Sequence, residues 1–163
     1  MMDGLTSLEE AISTLFKSLP KVDEVESCPL VECVGRVLAA DFIAPINVPP
    51  YTNSAMDGFA LRSKDLNISD MLSVSQRIIA GRVGSKLSEG EAARIFTGAP
   101  LPQGADCVAM QENCLQFGNK VEILKAVSSG ENLRLAGEDI KSGSILLESG
   151  IRLTPQDLGL VAS

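Results

Sequence analysis

The pattern of apolar and polar positions divides the chain into a helical beginning, a strand-rich middle and a short helical end. Near the beginning, Thr6 and Ser7 precede Glu9 and Glu10, which is the spacing of a capping box at the start of a helix. Apolar residues then recur at i, i+3, i+4 and i+7 as far as Pro20. This spacing predicts a helix whose apolar face packs in a core or across a dimer.

From about residue 57 to residue 127, short apolar runs are separated by glycine and proline. The runs predict strands over 57–62, 73–79, 107–111 and 121–124, another from residue 93, and a hairpin turn at Gly118 and Asn119. No helical period lies between them, which favours a small antiparallel sandwich or barrel. Two segments, 90–94 and 130–134, share the pattern Gly-Glu-x-x-Arg and are interpreted as similar turn–strand units.

The last part of the chain carries a second helix signal. A hairpin is predicted from residues 143–147 and 151–153, and Thr154 and Pro155 then suit the cap and first position of a helix. No stop signal follows before Ser163. We therefore expect the sequence to end inside a helix and to be a fragment of a longer protein.

Composition narrows the classes of partner and chemistry. A net charge of −7 opposes binding to nucleic acid or to an anionic membrane surface. The absence of histidine removes the commonest general base and metal ligand. The cysteines do not have zinc-site spacing, and Cys28, Cys33 and Cys107 are interpreted as reduced core residues. Neither a signal peptide nor a membrane-length apolar run is recognisable, so a cytoplasmic protein is predicted.

The strongest candidate for chemistry is Asp57. It follows a loop broken by Pro45, Pro49 and Pro50, and it directly precedes Gly58 and an alternating run. A loop at the mouth of a strand is a common place for a functional group. The alternative is that the Asp-Gly pair only shapes a turn.

Several segments, in order, resemble the N-terminal part of the MoeA family of molybdopterin molybdotransferases, which is related to the E domain of gephyrin. Together they cover nearly the whole chain, and they are residues 35–39, 49–60, 94–100, 104–106 and 137–140. The resemblance implies an enzyme that inserts molybdate into adenylylated molybdopterin and releases AMP with a divalent cation such as Mg²⁺. It also implies a homodimer with its cleft between subunits, and a molybdopterin adenylyltransferase as a possible partner.

The resemblance assigns roles to six positions of this sequence. Asp57, Thr97 and Asp139 are implied as catalytic, with Asp57 and Asp139 also as metal ligands, since Mg²⁺ takes oxygen ligands. Substrate binding is implied at Asn53, Ser54 and Gly98. The backbone amides at Thr97 and Gly98 are expected to face an oxyanion. The alternatives are that 97–100 is an ordinary turn and that Asp139 caps the residues after it.

The resemblance also implies an α+β fold. A mixed helical and strand domain, discontinuous in sequence, would use residues 1–44 and 128–163, with an all-β domain inserted over 45–127. The family continues into further domains that hold most of the pterin site, so the present chain is expected to be inactive alone. Two other hypotheses are a non-catalytic dimerisation or scaffold module, and a β-barrel carrier domain unrelated to molybdenum.

Overall fold

The structure is a computed structural model that describes residues 6–163. These residues divide into two compact units, one formed by residues 6–40 together with Ser149–Ser163, and one formed by Asp41–Glu148. The second unit therefore lies, in sequence, inside the first. The domain boundaries expected at 44/45 and 127/128, and an inserted domain that is wholly β, stay predictions.

The described residues form two α-helices and ten short strands, so the mixed α+β class is confirmed. The helices are α1 (Leu8–Ser18) and α2 (Pro155–Ala162). There are 3₁₀ turns at Leu30–Glu32, Ser63–Asn67 and Gln111–Asn113. The strands are β1 (Phe42–Ile43), β2 (Asn53–Ser54), β3 (Gly58–Leu61), β4 (Met71–Ile78), β5 (Glu91–Ile95), β6 (Cys107–Met110), β7 (Cys114–Phe117), β8 (Lys120–Ile123), β9 (Leu133–Arg134) and β10 (Ile145–Leu147).

Helix α1 begins at the predicted capping box. The Ser7 hydroxyl accepts from the Glu10 amide at 3.2 Å, and the Glu10 carboxylate accepts from the Ser7 amide at 3.3 Å. No residue of α1 is buried, and Leu8 and Phe16 are 76% and 71% exposed. The helix is thus confirmed, while its apolar face has no cover from the part of the chain that the structure describes.

Helix α2 also begins as predicted, with Thr154 and Asp157 forming a capping box and Pro155 in the first turn. The hairpin expected before it is wrong. Strand β10 pairs with β1, and Arg152 forms a bridge to Val37. Each half of the expected hairpin therefore pairs with an earlier segment of its own unit.

The second unit contains a six-stranded sheet in the order β6-β3-β5-β4-β8-β7. Strands β7 and β8 form the predicted hairpin. The purely antiparallel arrangement was wrong at one pair, because β4 and β5 run parallel. Residues 79–90 connect the end of β4 to the beginning of β5, which lies at the opposite end of the two strands. A connection of this length permits two neighbouring strands to run parallel.

Both faces of the sheet are buried around β3, β5 and β6, because residues of these strands alternate between two apolar clusters. One face carries Phe59, Leu61, Leu72, Ala92, Cys107, Ala109, Val121, Ile123 and Val127. The other carries Ala60, Ile78, Leu87, Ala93, Ile95, Ala99 and Val108. The sheet is therefore the rigid base from which the loops at its strand ends project.

No helix over residues 6–163 has both the length and the apolar character needed to cross a membrane.

Candidate functional site

Asp57 lies in the short loop between β2 and β3, and the backbone of that loop is fixed by the segment after β5. The Ser54 amide donates to the Ala99 carbonyl, and the Gly98 amide donates back to the Ser54 carbonyl, both at 2.9 Å. These two reciprocal bonds hold the 53–57 segment against 97–99. The two sequence segments that the resemblance singled out are thus neighbours.

Two further backbone bonds fix the loop on its other sides. The Ala55 amide donates to the Asn132 carbonyl at 2.9 Å, and the Gln111 amide donates to the Asp57 carbonyl at 3.0 Å. Asn132 has a φ of 58°, which asparagine tolerates better than most residues. The position of Asp57 is therefore determined by three separate parts of the chain.

The Asp57 carboxylate contacts Thr97 directly. Its Oδ1 accepts from the Thr97 amide and from the Thr97 hydroxyl, each at 2.8 Å. The hydrogen bond from the Thr97 amide is the largest cause that lowers the pKa of Asp57 below 3.8, and the hydrogen bond from the Thr97 hydroxyl is the next. The charge of Arg94 lowers this pKa further. The side chain is half-buried rather than enclosed in the core. Asp57 is therefore a fixed, ionised carboxylate that a ligand can approach.

Arg94 supports the start of β3 from the neighbouring strand. Its guanidinium donates to the Gly58 carbonyl at 2.7 Å and to the Gln111 side chain at 2.6 Å. It also stacks on the rings of Phe96 and Phe59, at 4.5 Å and 5.2 Å from the ring centroids. Arg94 thus links Gly58, the residue directly after Asp57, to Gln111, whose amide donates to the Asp57 carbonyl.

Gly58 permits β3 to lie unusually close to β6. A Cβ at this position would be 1.9 Å from the Ala109 carbonyl oxygen and 2.9 Å from the Ala109 carbonyl carbon. Both are backbone atoms of the adjacent strand and have little freedom to move. Glycine is therefore required directly after Asp57 because any side chain would separate the strands.

Asp139 forms an ion pair with Arg134. The guanidinium donates to Oδ2 of Asp139 at 2.5 Å, and this bond raises the pKa of Arg134. Arg134 is opposite Asn53 in the β2–β9 pair, so the ion pair is attached to the strand that leads to Asp57. The alternative interpretation, that Asp139 caps the residues after it, is not supported, since its carboxylate accepts from this arginine.

The three predicted substrate-binding positions are mostly engaged by the protein itself. Ser54 is fully buried and its hydroxyl donates to the Met56 carbonyl at 2.5 Å, while Asn53 is 8% exposed. The amides expected to face an oxyanion are also occupied, since that of Thr97 donates to Asp57 and that of Gly98 donates to Ser54. These residues shape the loop; a direct contact with substrate stays a prediction.

Sequence reasoning did not select Arg94 or Arg134 as site residues. Both end a Gly-Glu-x-x-Arg segment, so the shared pattern was a signal that could have found them. The pattern alone did not show that the two arginines lie beside the Asp57 loop and Asp139. That relationship depends on the strand pairing of β3 with β5 and of β2 with β9.

Over residues 6–163, no group of three or more histidine, cysteine, aspartate or glutamate side chains converges as a metal site would require. Asp57 and Asp139 each have one oxygen bonded to a neighbouring side chain. The oxygen chemistry fits Mg²⁺, which is commonly held by one or two carboxylates together with water and substrate phosphate. The described residues therefore do not form a complete protein-held cation site.

The fold and the site together define a class: a mixed α+β protein in which backbone-anchored loops present an ionised aspartate beside a hydroxyl and an arginine–aspartate pair. The chain belongs to the family described as MoeA N-terminal region (domain I and II), which matches residues 6–163.

Relatives and solved structures agree with this assignment. The chain is 40% identical over 161 residues to a molybdopterin molybdenumtransferase of Haemophilus influenzae, covering 98% of this chain and 40% of the relative. It is 37% identical to one of Synechococcus elongatus, covering 98% and 41%. A crystal structure of the molybdopterin biosynthesis moeA protein of Pyrococcus horikoshii superimposes with a TM-score of 0.86 and 34% identity, covering 98% of this chain and 44% of that one. The chain thus spans about two fifths of the length of these relatives.

Proposed function

We propose that this chain forms one wall of the site at which a molybdenum-cofactor biosynthesis enzyme inserts molybdate into adenylylated molybdopterin and releases AMP. The observation that carries the proposal is the contact of Asp57 with both the amide and the hydroxyl of Thr97. It joins two residues that are separated by forty positions and that belong to two different segments of the family resemblance. The names of the relatives, molybdopterin molybdenumtransferase, support the reaction class.

Asp57 would act as a fixed negative charge. Thr97 holds one carboxylate oxygen, so the other oxygen can face a cation or a donor group of the substrate. Arg134 would offset the charge of an incoming phosphate or molybdate, because guanidinium groups bind such oxyanions well. Asn53, Ser54 and Gly98 would shape this wall through the backbone bonds described above.

Mg²⁺ would be held by Asp57 and Asp139, with its other ligands supplied by water, substrate phosphate or other residues of the whole enzyme. When bound, it would neutralise charge on the phosphate as AMP leaves. Arg134 bonds to Oδ2 of Asp139, so Oδ1 is the oxygen that would serve the ion. Because this set is incomplete, the chain alone is expected not to catalyse the reaction.

A homodimer is proposed for the whole protein, and the uncovered apolar face of α1 supports burial against another surface. A molybdopterin adenylyltransferase is the proposed donor of the substrate, since adenylylated molybdopterin must be made before it is consumed. A cytoplasmic location is part of the same proposal.

The second candidate function is a non-catalytic dimerisation or scaffold module. The exposed face of α1 favours it, whereas the fixed and ionised Asp57 favours the enzyme. The two are distinguishable by substitution. In the scaffold case, Phe16→Asp would abolish self-association while Asp57→Asn would have no effect on any activity of the whole protein.

The enzyme proposal is tested in a chimera. The matching region of the Haemophilus influenzae relative is replaced by this chain and expressed in bacteria that lack molybdate insertion. The unsubstituted chimera should restore a molybdenum-dependent enzyme, and Asp57→Asn should lose that activity. Glu148→Gln, an equally isosteric change at an exposed carboxylate, is the matched control and should retain it. Equal rescue by Asp57→Asn would contradict the proposal.

A further inference from the structure

Two cysteines that the candidate site does not use lie in contact. The sulfur atoms of Cys28 and Cys33 are 3.1 Å apart, and both side chains are half-buried, so the interpretation of these two as core residues was wrong. Both are free thiols. A disulfide has an S–S distance of about 2.05 Å, so the two atoms need to approach by only about 1 Å.

The local fold is what brings these sulfurs together. Pro29 precedes the 3₁₀ turn Leu30–Glu32, and the Cys33 amide closes this turn on the Leu30 carbonyl at 3.1 Å. The Cys33 thiol also donates to the Pro29 carbonyl at 3.3 Å. The turn thus reverses the chain between the two cysteines and holds the second thiol beside the first.

The other two cysteines have a different environment. Cys107 is fully buried, and burial raises its pKa strongly, while burial raises the pKa of Cys114 to about 11. Exchange reactions require a thiolate that an oxidant can reach, so both should be inert. In the first pair, the contact with Cys33 is the largest cause that raises the pKa of Cys28. Cys28 therefore keeps its proton to a higher pH than an ordinary thiol does.

We infer that Cys28 and Cys33 form a reversible dithiol–disulfide site that is oxidised by low-molecular-weight disulfides of the glutathione type. One cysteine thiolate attacks a sulfur of the small disulfide, which releases one small thiol and leaves a mixed disulfide on the protein. The second cysteine then loses its proton and attacks the protein-bound sulfur, which releases the other small thiol. The protein is oxidised by two electrons, and the small disulfide is reduced to two thiols.

The bond would fix the segment that follows α1. Residues 21–27 are exposed and have no regular structure, and Glu26 forms an ion pair with Arg36 just beyond the turn. A disulfide at Cys28 would add a covalent anchor next to this ion pair. In a reducing compartment such a bond is transient, which suits a redox-responsive site rather than a permanent crosslink. The inference does not depend on the proposed molybdate chemistry.

In the test, the folded chain is oxidised in buffers with an increasing ratio of oxidised to reduced glutathione. The reaction is then quenched with acid, the remaining thiols are alkylated, and the protein is digested with trypsin. Cleavage at Lys21 and Arg36 leaves both cysteines in one peptide, 22–36. Cys107 and Cys114 share another peptide, 95–120, which is the internal control. We expect 22–36 to lose two hydrogen atoms and both alkylation sites, while 95–120 keeps two alkylated thiols.

Two controls make the result decisive. Cys28→Ser and Cys33→Ser should each stop at the mixed disulfide with glutathione. Repeating the oxidation in denaturant should lower the ratio of intramolecular to mixed disulfide at least about tenfold, because the proximity is a property of the fold. Retention of both thiols in 22–36, accumulation of doubly glutathionylated peptide, or an equal ratio in the folded and unfolded chain would overturn the inference.

Discussion

Thr97 uses both its amide and its hydroxyl to hold one oxygen of Asp57, each at 2.8 Å. The two residues come from loops at the same end of neighbouring strands, because β3 and β5 are antiparallel and Gly58 is opposite Ile95. Two charge-assisted bonds to one oxygen fix the direction of the carboxylate as well as its ionisation. The arrangement is directly testable through the titration of Asp57.

Thr97→Val is predicted to raise the pKa of Asp57 towards its ordinary value, since the hydroxyl donor is removed while the amide donor remains. Carboxyl chemical shifts measured across a pH titration report the change. Thr97→Ser keeps the hydroxyl and should leave the titration where it is. An unchanged midpoint in the valine variant would mean that the hydroxyl does not stabilise the carboxylate.

The same shift predicts a pH dependence of stability. The folded-state pKa of Asp57 is lowered, so its ionised form stabilises the folded state above the unfolded value of about 4, and this contribution is lost as pH falls through the lowered value. The loss of unfolding free energy in Thr97→Val should therefore be largest near neutral pH and should diminish in acid. Urea unfolding of both proteins at several pH values measures it, and a difference that grows in acid would contradict the assignment.

Arg94→Lys is predicted to destabilise the second unit by about 1–3 kcal/mol, because lysine cannot reproduce the planar fork that reaches Gly58 and Gln111. Arg77→Lys is the matched control, since Arg77 stacks on the same Phe96 ring, at 4.6 Å, from an exposed position. Its cost should stay within about 1 kcal/mol. Urea unfolding of the two variants compares them, and equal costs would remove the special role of the Arg94 hydrogen bonds.

Gly58→Ala is predicted to cost about 3 kcal/mol, because the new methyl group would meet the Ala109 carbonyl on the adjacent strand. Gly159→Ala is predicted to change the stability in the opposite direction. Gly159 lies within α2 and a Cβ there meets nothing within 4 Å, so the change should stabilise by about 0.5–1 kcal/mol. Thermal and urea unfolding measure both, and a tolerated Gly58→Ala would show that β3 and β6 can separate.

Local signals in the sequence were sufficient for the elements that depend on neighbouring residues. Capping boxes and proline positions identified both helices, and alternation identified β3 and β8. The pairing of strands that are far apart in sequence was harder to predict. The parallel β4–β5 pair and the pairing of β10 with β1 arise from the route of the chain, which periodicity does not encode.

The candidate site shows the same division between local and long-range information. Asp57 was a candidate from its position before a strand, and the resemblance added Thr97 and Asp139. Neither the Thr97 bonds to Asp57 nor the ion pair of Arg134 with Asp139 follows from spacing along the chain. The availability of amides at Thr97 and Gly98 was also misjudged from sequence. Whether an amide is available depends on which carbonyl lies opposite, and here it is determined by Ser54 and Asp57.

The ion pair of Arg134 and Asp139 separates a structural role from a functional one. Both side chains are nearly half exposed, at 44% and 49%, and solvent screens their attraction, so a double-mutant cycle of Arg134→Gln and Asp139→Asn should give little coupling in stability. In the chimera with the Haemophilus influenzae relative, each single substitution should nevertheless reduce rescue of molybdenum-dependent activity at least about tenfold, because anion and cation binding would both be weakened. Urea unfolding and the rescue assay are run on the same four proteins. Large stability coupling with normal rescue would assign the pair to folding alone, and the metal role of Asp139 would then be lost with it.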